Sequence, residues 1–245
     1  MRRSLTPRKR APFRGLEPMD ERDAERFYGR DDELAAFLER IRTEPVMPVV
    51  GSSGAGKSSF VLAGAIPRLQ EQERWIAMRM RPGRHPLRAL AALLMAQGNL
   101  ETAQRITARF DSGASVSVDS ESIPDLASPG QALAAAEQKL TEELAEHPTR
   151  LALKLLKLAE AHRARVLLFV DQLEEVYTLG VDLQTRWTFL DAVCRAADDP
   201  RGPVRVVFTA RDDFLGRLAE VASARQVLGH TTVLRSPEPA ALEEI

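Results

Sequence analysis

The hydrophobic positions of the chain fall into two alternating patterns. Short apolar runs, typical of strands in a buried sheet, are separated by longer stretches whose apolar residues recur every three or four positions, as in amphipathic helices. This alternation predicts an α/β fold, a three-layer α/β/α sandwich around a mostly parallel five-stranded sheet. The predicted strands are Val46–Val50, Trp75–Arg81, Val166–Val170, Val204–Thr209 and Thr231–Leu234. Pro48 lies inside the first run and lacks an N–H donor, which favours a strand that starts only after Pro48.

Helical spacing accounts for most of the remaining chain. Cys194 shares the apolar side of one predicted helix with Trp187 and Leu190, which predicts a core position for this cysteine rather than a reactive thiol. The predicted helices cover about 31–41, 57–70, 86–94, 131–146, 149–163, 185–197, a segment around Phe214–Leu218, and 238–245.

A phosphate-binding loop follows the first strand. Residues 51–58 match G-x-x-x-x-G-K-[ST], the Walker A pattern, and stand between a strand and a helix as that motif requires. Backbone N–H groups and the positive end of the following helix suit a triphosphate, Lys57 reaches its β- and γ-phosphates, and the Ser58 hydroxyl binds Mg²⁺. The predicted nucleotide-binding residues here are Gly51, Ser52, Ser53, Gly54, Ala55, Gly56, Lys57, Ser58 and Ser59.

A second candidate site lies at the carboxyl end of the third strand. Asp171 directly follows the apolar run Val166–Val170, a Walker B pattern, and is predicted to hold Mg²⁺ through its water shell. A carboxylate a few residues further on is placed to polarise the attacking water as a general base. Glu174 and Glu175 are both candidates, since either one also suits the first turn of the next helix.

An arginine ends the fourth strand. Arg211 follows the run Val206–Ala210, and an arginine at the carboxyl end of a strand beside a phosphate loop suits contact with the γ-phosphate. The alternative is a surface arginine paired with Asp212 or Asp213, and the residues alone favour neither.

Composition narrows the class of protein. With 245 residues, 44% of them hydrophobic and 28% charged, the chain is long enough for one large globular domain or two small ones. One cysteine excludes a disulfide framework and fits a cytoplasmic location. No apolar run approaches the roughly 20 residues of a membrane span. The net charge of −1 argues neither for nor against nucleic acid, and no basic stripe is visible.

Taken together, the motifs resemble the STAND class of signal-transduction ATPases, relatives of AAA+ proteins that include the NACHT and AP-ATPase groups. The finer resemblance is to the bacterial novel STAND NTPase family, over roughly residues 12–245. The matching segments are Pro12–Leu16 with Phe27–Arg30, the loop 51–59, Arg81–Gly83 with Pro86 and Leu87, Asp171–Glu175, Arg211–Leu218 and Pro237–Ile245.

The resemblance to this family also implies a strand order and roles for individual residues that the sequence pattern alone does not predict. It implies the strand order 5-1-4-3-2, with Arg211 as a sensor residue near the γ-phosphate. It places Phe27, Tyr28, Gly29 and Arg30 on the adenine side of the pocket. By analogy with NACHT proteins, the fourth residue after Asp171 is the catalytic one, which favours Glu175 over Glu174.

The predicted domain organisation follows from the sequence pattern together with the family resemblance. Residues 1–14 form a disordered basic arm, and residues 15–236 form the P-loop NTPase core, with a flexible loop at about 111–130 and a helical insertion at about 131–163. Residues 237–245 begin a helical lid that the chain end truncates, and the resemblance implies that C-terminal sensor domains are missing.

The leading hypothesis is an ATP-binding, slowly hydrolysing STAND NTPase core with Mg²⁺, acting as a signalling switch through nucleotide-dependent self-association or the missing domains. The first alternative is an AAA+-like ATPase acting on DNA, which a basic winged helix would support. The second is a nucleotide-gated scaffold that binds ATP without hydrolysing it. A small-molecule kinase is a more distant possibility, because no acceptor pocket or arginine-rich lid is recognisable.

Overall fold

The five predicted strands are present as β1 Val46–Gly51, β2 Trp75–Met80, β3 Arg165–Val170, β4 Val204–Arg211 and β5 Thr232–Val233. They form one parallel sheet with the order β2-β3-β4-β1-β5, which confirms the order implied by the resemblance. The strand β4, which ends at Arg211, therefore lies between the strand before the phosphate loop and the strand before Asp171.

The computed structural model of the chain describes residues 18–97 and 129–235. The predicted arm at 1–14 and lid at 237–245 lie outside the described residues, as does the predicted loop at 111–130 up to residue 128. Residues 129 and 130 begin the helix Pro129–Glu146 instead of ending that loop. The α-helices are Asp31–Arg40, 86–97, Pro129–Glu146, Arg150–His162, Glu175–Thr178, Leu183–Cys194, Leu215–Leu218 and Ala222–Val227, together with Lys57–Ser59, the π-helical Phe60–Ala65 and Ile66–Gln72 in direct succession. Short 3₁₀-helices cover Glu21–Arg26, Asp212–Phe214 and Leu228–His230.

Each face of the sheet buries its own hydrophobic core because side chains alternate along a strand. In β3, Val166, Leu168 and Val170 pack with the helices Arg150–His162 and Leu183–Cys194 on one face. Leu167 and Phe169 pack on the other face with the helix Asp31–Arg40 and the helix after the phosphate loop. The three-layer α/β/α prediction is therefore confirmed.

The prediction that β1 starts only after Pro48 is wrong. Pro48 is the third residue of the strand and pairs in register with Phe208 of β4. The Val50 carbonyl accepts from the Leu234 N–H at 2.7 Å, so by alternation the nitrogen of Pro48 faces β5 as well. The edge strand β5 pairs with β1 only at Val49 and Val50, and the missing N–H of Pro48 therefore removes no ladder hydrogen bond.

The helix that carries Cys194 matches the prediction only in part. Cys194 is buried, and burial raises the pKa of its thiol to about 12, which confirms a core position. Trp187, predicted on the same side, is instead 45% exposed. Leu190 and Phe189 fill the core at this level of the helix, and the indole is left at the edge of the packed face.

Arg205 in β4 is fully buried, a feature that the hydrophobic pattern of this strand does not predict. Its guanidinium donates hydrogen bonds of 2.6–2.9 Å to backbone carbonyls only, those of Ile41, Arg42, Pro200, Gly202 and Val204. Burial lowers the pKa of Arg205 to about 10. The side chain thus joins the end of the helix Asp31–Arg40 to the loop that leads into β4.

Replacing Arg205 with methionine is expected to lower the free energy of unfolding by about 3 kcal/mol or more, because five buried or part-buried carbonyl bonds from a charged donor are lost. Guanidinium unfolding of both proteins measures the difference. Arg201→Met changes an exposed arginine of the same loop and is the matched control. Equal unfolding midpoints for Arg205→Met and the control would contradict this account.

Candidate functional site

Three glycines allow the loop between β1 and the next helix to adopt its conformation, for two different structural reasons. Gly54 and Gly56 both have φ of +80°, a conformation that other residues adopt only with strain. A Cβ added to Gly51 would meet the Leu234 carbonyl oxygen at 2.3 Å, so Gly51 allows the end of β1 to approach the chain after β5. An added Cβ at Gly54 or Gly56 would meet nothing within 4 Å, so open space lies over this part of the loop.

Lys57 begins the helix and folds back over the loop. Its ammonium donates to the carbonyls of Gly51 at 2.8 Å and Ser52 at 2.7 Å, and the residue is only 9% exposed. Burial lowers the pKa of Lys57, and the carboxylate of Glu174 opposes that effect. The cation is therefore held at the mouth of the loop by two backbone carbonyls.

The two predicted magnesium ligands lie together. The Ser58 hydroxyl donates to Oδ1 of Asp171 at 2.5 Å, and Asp171 is fully buried. Thr209 of β4 donates to the same oxygen at 2.9 Å and accepts from the N–H of Gln172 at 2.8 Å. Sequence reasoning missed Thr209, although a polar residue near the end of an apolar central strand is the signal that would have found it.

The turn after Asp171 is tight. Gln172 has φ of +58°, one of two positive φ values among non-glycine residues in the described parts of the chain. The N–H of Leu173 donates to the Thr209 carbonyl at 2.8 Å, which holds this turn against β4. Strained backbone of this kind is concentrated at functional sites.

Two arginines from β2 also reach Asp171. Arg81, directly after the strand, donates through Nε and Nη2 to Oδ2 of Asp171 at 3.2 and 3.1 Å. The Nη2 of Arg79 lies 3.7 Å from the same oxygen. Reasoning from the residues singled out neither arginine as a site residue, and Arg81 entered only as part of a family motif. Its position at the carboxyl end of a neighbouring strand was the available signal.

The two candidate carboxylates point in different directions. Glu174 is 9% exposed and lines the cavity over the phosphate loop, and its buried Oε2 has no hydrogen-bond partner within the described structure. Burial raises the pKa of Glu174. Glu175 instead accepts at Oε2 from the N–H of Gly83 at 3.0 Å. Its side chain secures the turn after β2 and does not line the cavity.

Arg211 lies at the candidate site and also forms one of the surface ion pairs predicted as its alternative role. It lines the cavity, and it also forms a two-pronged ion pair with Asp213, Nε to Oδ1 at 3.0 Å and Nη2 to Oδ2 at 2.7 Å. Its side chain is 43% exposed, so this ion pair is a surface one that can exchange.

These side chains surround one cavity of about 610 Å³ at the carboxyl edge of the sheet, lined mainly by Lys57, Ser58, Arg81, Gln172, Glu174 and Arg211. A larger cavity of about 940 Å³ lies beside the start of β1, next to Val46 and Cys194. The smaller cavity is the candidate site, since it gathers the charged groups and the phosphate loop.

The model of one protein family, described as Novel STAND NTPase 1, matches residues 12–245. The chain belongs to this family. It is therefore a P-loop protein of the nucleotide-binding NTPase class, and the resemblance seen in its motifs is confirmed.

One solved structure shares the fold of the chain. The chain is 13% identical to the ORC2 protein of Aeropyrum pernix, solved in ADPNP and ADP complexes, with a TM-score of 0.52 over 92% of this chain and 54% of that chain. A Walker-type ATPase of Pyrococcus abyssi is 14% identical, with a TM-score of 0.49 over 94% of this chain and 59% of that chain. The chain thus spans less than two thirds of either protein. No curated protein sequence matches it significantly.

The site of this STAND NTPase fits a magnesium nucleotide. Open space over Gly54 and Gly56, the cations of Lys57 and Arg211, and a helix N-terminus suit phosphate groups. Ser58 and Asp171 would hold Mg²⁺ together with phosphate oxygens and water, the arrangement that this ion prefers.

The N-terminal residues predicted on the adenine side do not line this cavity. Phe27 packs edge-on against Phe60 in the core, while Tyr28 is 55% exposed. Gly29 has φ of +77°, and Arg30 donates to the carbonyls of Ala55 at 2.9 Å and Arg235 at 2.8 Å. Their role at the base stays a prediction.

Ser59, predicted at the phosphates, accepts the Met19 N–H on its hydroxyl at 3.0 Å and so also anchors the incoming chain.

Among the helices that the structure describes, none is long and apolar enough to cross a membrane.

Proposed function

We propose that this STAND NTPase binds ATP with Mg²⁺, hydrolyses it slowly and acts as a nucleotide-dependent signalling switch. The observation that carries the proposal is the convergence of Lys57, the Ser58–Asp171 pair, Glu174 and Arg211 on one cavity. We further propose nucleotide-dependent self-association or additional sensor domains, and a cytoplasmic location.

Lys57 has the simplest role in this proposal. Its ammonium leaves the carbonyls of Gly51 and Ser52 and contacts the β- and γ-phosphates, whose charge compensates its burial better than two carbonyls do. The loop N–H groups and the helix N-terminus hold the same phosphates. Mg²⁺, when bound at Ser58 and Asp171, neutralises charge on the β- and γ-oxygens.

We assign the general base to Glu174. Its Oε2 is buried beside Lys57 without a partner, and a water between this oxygen and a γ-phosphate would satisfy it. The NACHT analogy favours Glu175, whose carboxylate is engaged by Gly83. Glu175 in this proposal positions the turn after β2. Arg211 leaves Asp213 and contacts the γ-phosphate.

The buried charge of Glu174 predicts a specific pH dependence. Burial raises the pKa of Glu174 above that of the unfolded chain, so its ionised form disfavours folding, and this cost disappears as the pH falls through the folded pKa. Glu174→Gln is therefore expected to unfold at a higher temperature than wild type at pH 8, with a smaller difference towards pH 5. The pH dependence of thermal unfolding of both proteins measures this. A constant difference, or a less stable variant at pH 8, would contradict it.

Switching requires a connection from the phosphate loop to the chain after β5. Arg30 provides one, because its guanidinium bonds both the Ala55 carbonyl and the Arg235 carbonyl. Hydrogen exchange with ADP and with a non-hydrolysable ATP analogue tests the proposal. The expected result is different protection near residue 235 in the two states, lost in Arg30→Ala. Identical exchange in both states would contradict the switch.

A further inference from the structure

The carboxylate of Asp171 is already filled by donors of the chain itself. Its Oδ1 accepts from Ser58 and Thr209, and its Oδ2 accepts two bonds from Arg81. Because Asp171 is fully buried, an opposite charge beside it is a requirement of stability. Arg81 meets that requirement at the position where the proposed function puts Mg²⁺.

Arg81 and a bound Mg²⁺ would compete for this carboxylate. Both carry positive charge, and within about 4 Å of each other they repel at the dielectric typical of a protein surface. Once Mg²⁺ neutralises the charge of Asp171, the carboxylate no longer stabilises the Arg81 guanidinium at this position.

The released guanidinium has a destination within reach. Arg81 is 44% exposed and lines the same cavity as Lys57 and Arg211. Its backbone is held beside β3, since the N–H of Asp171 donates to the Met80 carbonyl at 2.8 Å and Glu175 binds the N–H of Gly83. Only the side chain needs to move, and its planar fork suits the oxygens of a terminal phosphate.

We propose that Arg81 exchanges Asp171 for the terminal phosphate of a bound magnesium nucleoside triphosphate, and so distinguishes a triphosphate from a diphosphate. This inference rests on the proposed nucleotide binding at the same cavity. Arg81 is thereby a specificity-determining residue that approaches the phosphates from β2, which lies on the far side of β3 from β4 and Arg211.

Calorimetric titration with Mg²⁺·ADP and with a non-hydrolysable ATP analogue tests the proposal without relying on turnover. In Arg81→Gln the preference for the triphosphate over the diphosphate is expected to fall by about tenfold or more, the effect of one charged hydrogen bond. The Mg²⁺ concentration needed for half-maximal ADP binding is expected to fall as well, because only the more distant Arg79, at 3.7 Å, then remains beside this oxygen of Asp171.

Two further variants keep the experiment decisive. Arg81→Lys keeps a cation near Asp171, so it is expected to fold like wild type and still lose most of the triphosphate preference. Arg84→Gln changes an exposed arginine of the same turn and is expected to retain that preference. An unchanged preference in both Arg81 variants would overturn the role of Arg81 alone. Failure of wild type to bind either nucleotide would overturn the proposed function as well.

Discussion

Lys57→Ala is expected to weaken binding of Mg²⁺·ATP by at least about 100-fold, which amounts to loss of binding at ordinary concentrations. Lys57 is a buried cation at the helix start, and its present partners are two loop carbonyls that phosphate oxygens can replace. Removing it leaves the phosphate charge to backbone N–H groups, Arg211 and Arg81. Calorimetry on the purified chain measures the affinity.

A matched control separates this loss from a general effect of charge. Lys157→Ala removes an exposed lysine of the helix Arg150–His162, far along the sequence from the phosphate loop, and is expected to bind as wild type does. Comparable thermal unfolding of the two variants would show that both fold. Full affinity in Lys57→Ala would contradict the phosphate-loop assignment.

Glu174→Gln is expected to retain nucleotide affinity and to lose turnover by about 10²–10⁴-fold, the usual contribution of a general base. The buried carboxylate of Glu174 faces the cavity and its Oε2 has no hydrogen-bond partner in the described structure, while the amide of glutamine cannot accept a proton from water. Phosphate release under saturating Mg²⁺·ATP measures the rate.

The neighbouring Glu175→Gln is a natural comparison. It replaces the acceptor of the Gly83 N–H by an amide oxygen that accepts the same bond, so a much smaller loss of turnover is expected. The opposite ranking, with turnover lost in Glu175→Gln and kept in Glu174→Gln, would make Glu175 the base, as the NACHT analogy implies.

The sheet was predictable from the sequence because its strands are short apolar runs, and such runs have to be buried in the central layer of the fold. β3 is the clearest case, with alternate residues filling two cores. Pro48 was misjudged because a strand's tolerance of proline depends on which neighbour its nitrogen faces, and that is set by the short edge strand β5. Arg205 was missed because its partners are carbonyls, which no side-chain pattern reveals.

Part of the candidate site was equally predictable. The Ser58 and Asp171 side chains meet because the phosphate loop and the end of β3 occupy the same edge of the sheet. Spacing alone left Glu174 and Glu175 undecided, because the tight turn at Gln172 sets which carboxylate enters the cavity. The contact of Arg81 with Asp171 depends on the pairing of β2 with β3, which follows from strand order and not from either motif.

A single-turnover experiment tests the central claim most directly. Protein in excess is mixed with labelled ATP and Mg²⁺, and the conversion of bound ATP to ADP and phosphate is followed with time. The account predicts complete conversion at a rate nearer the roughly 10⁻² s⁻¹ of switch NTPases with an arginine in cis than that of a metabolic kinase. ATP that stays bound and unconverted would contradict hydrolysis and support a nucleotide-gated scaffold.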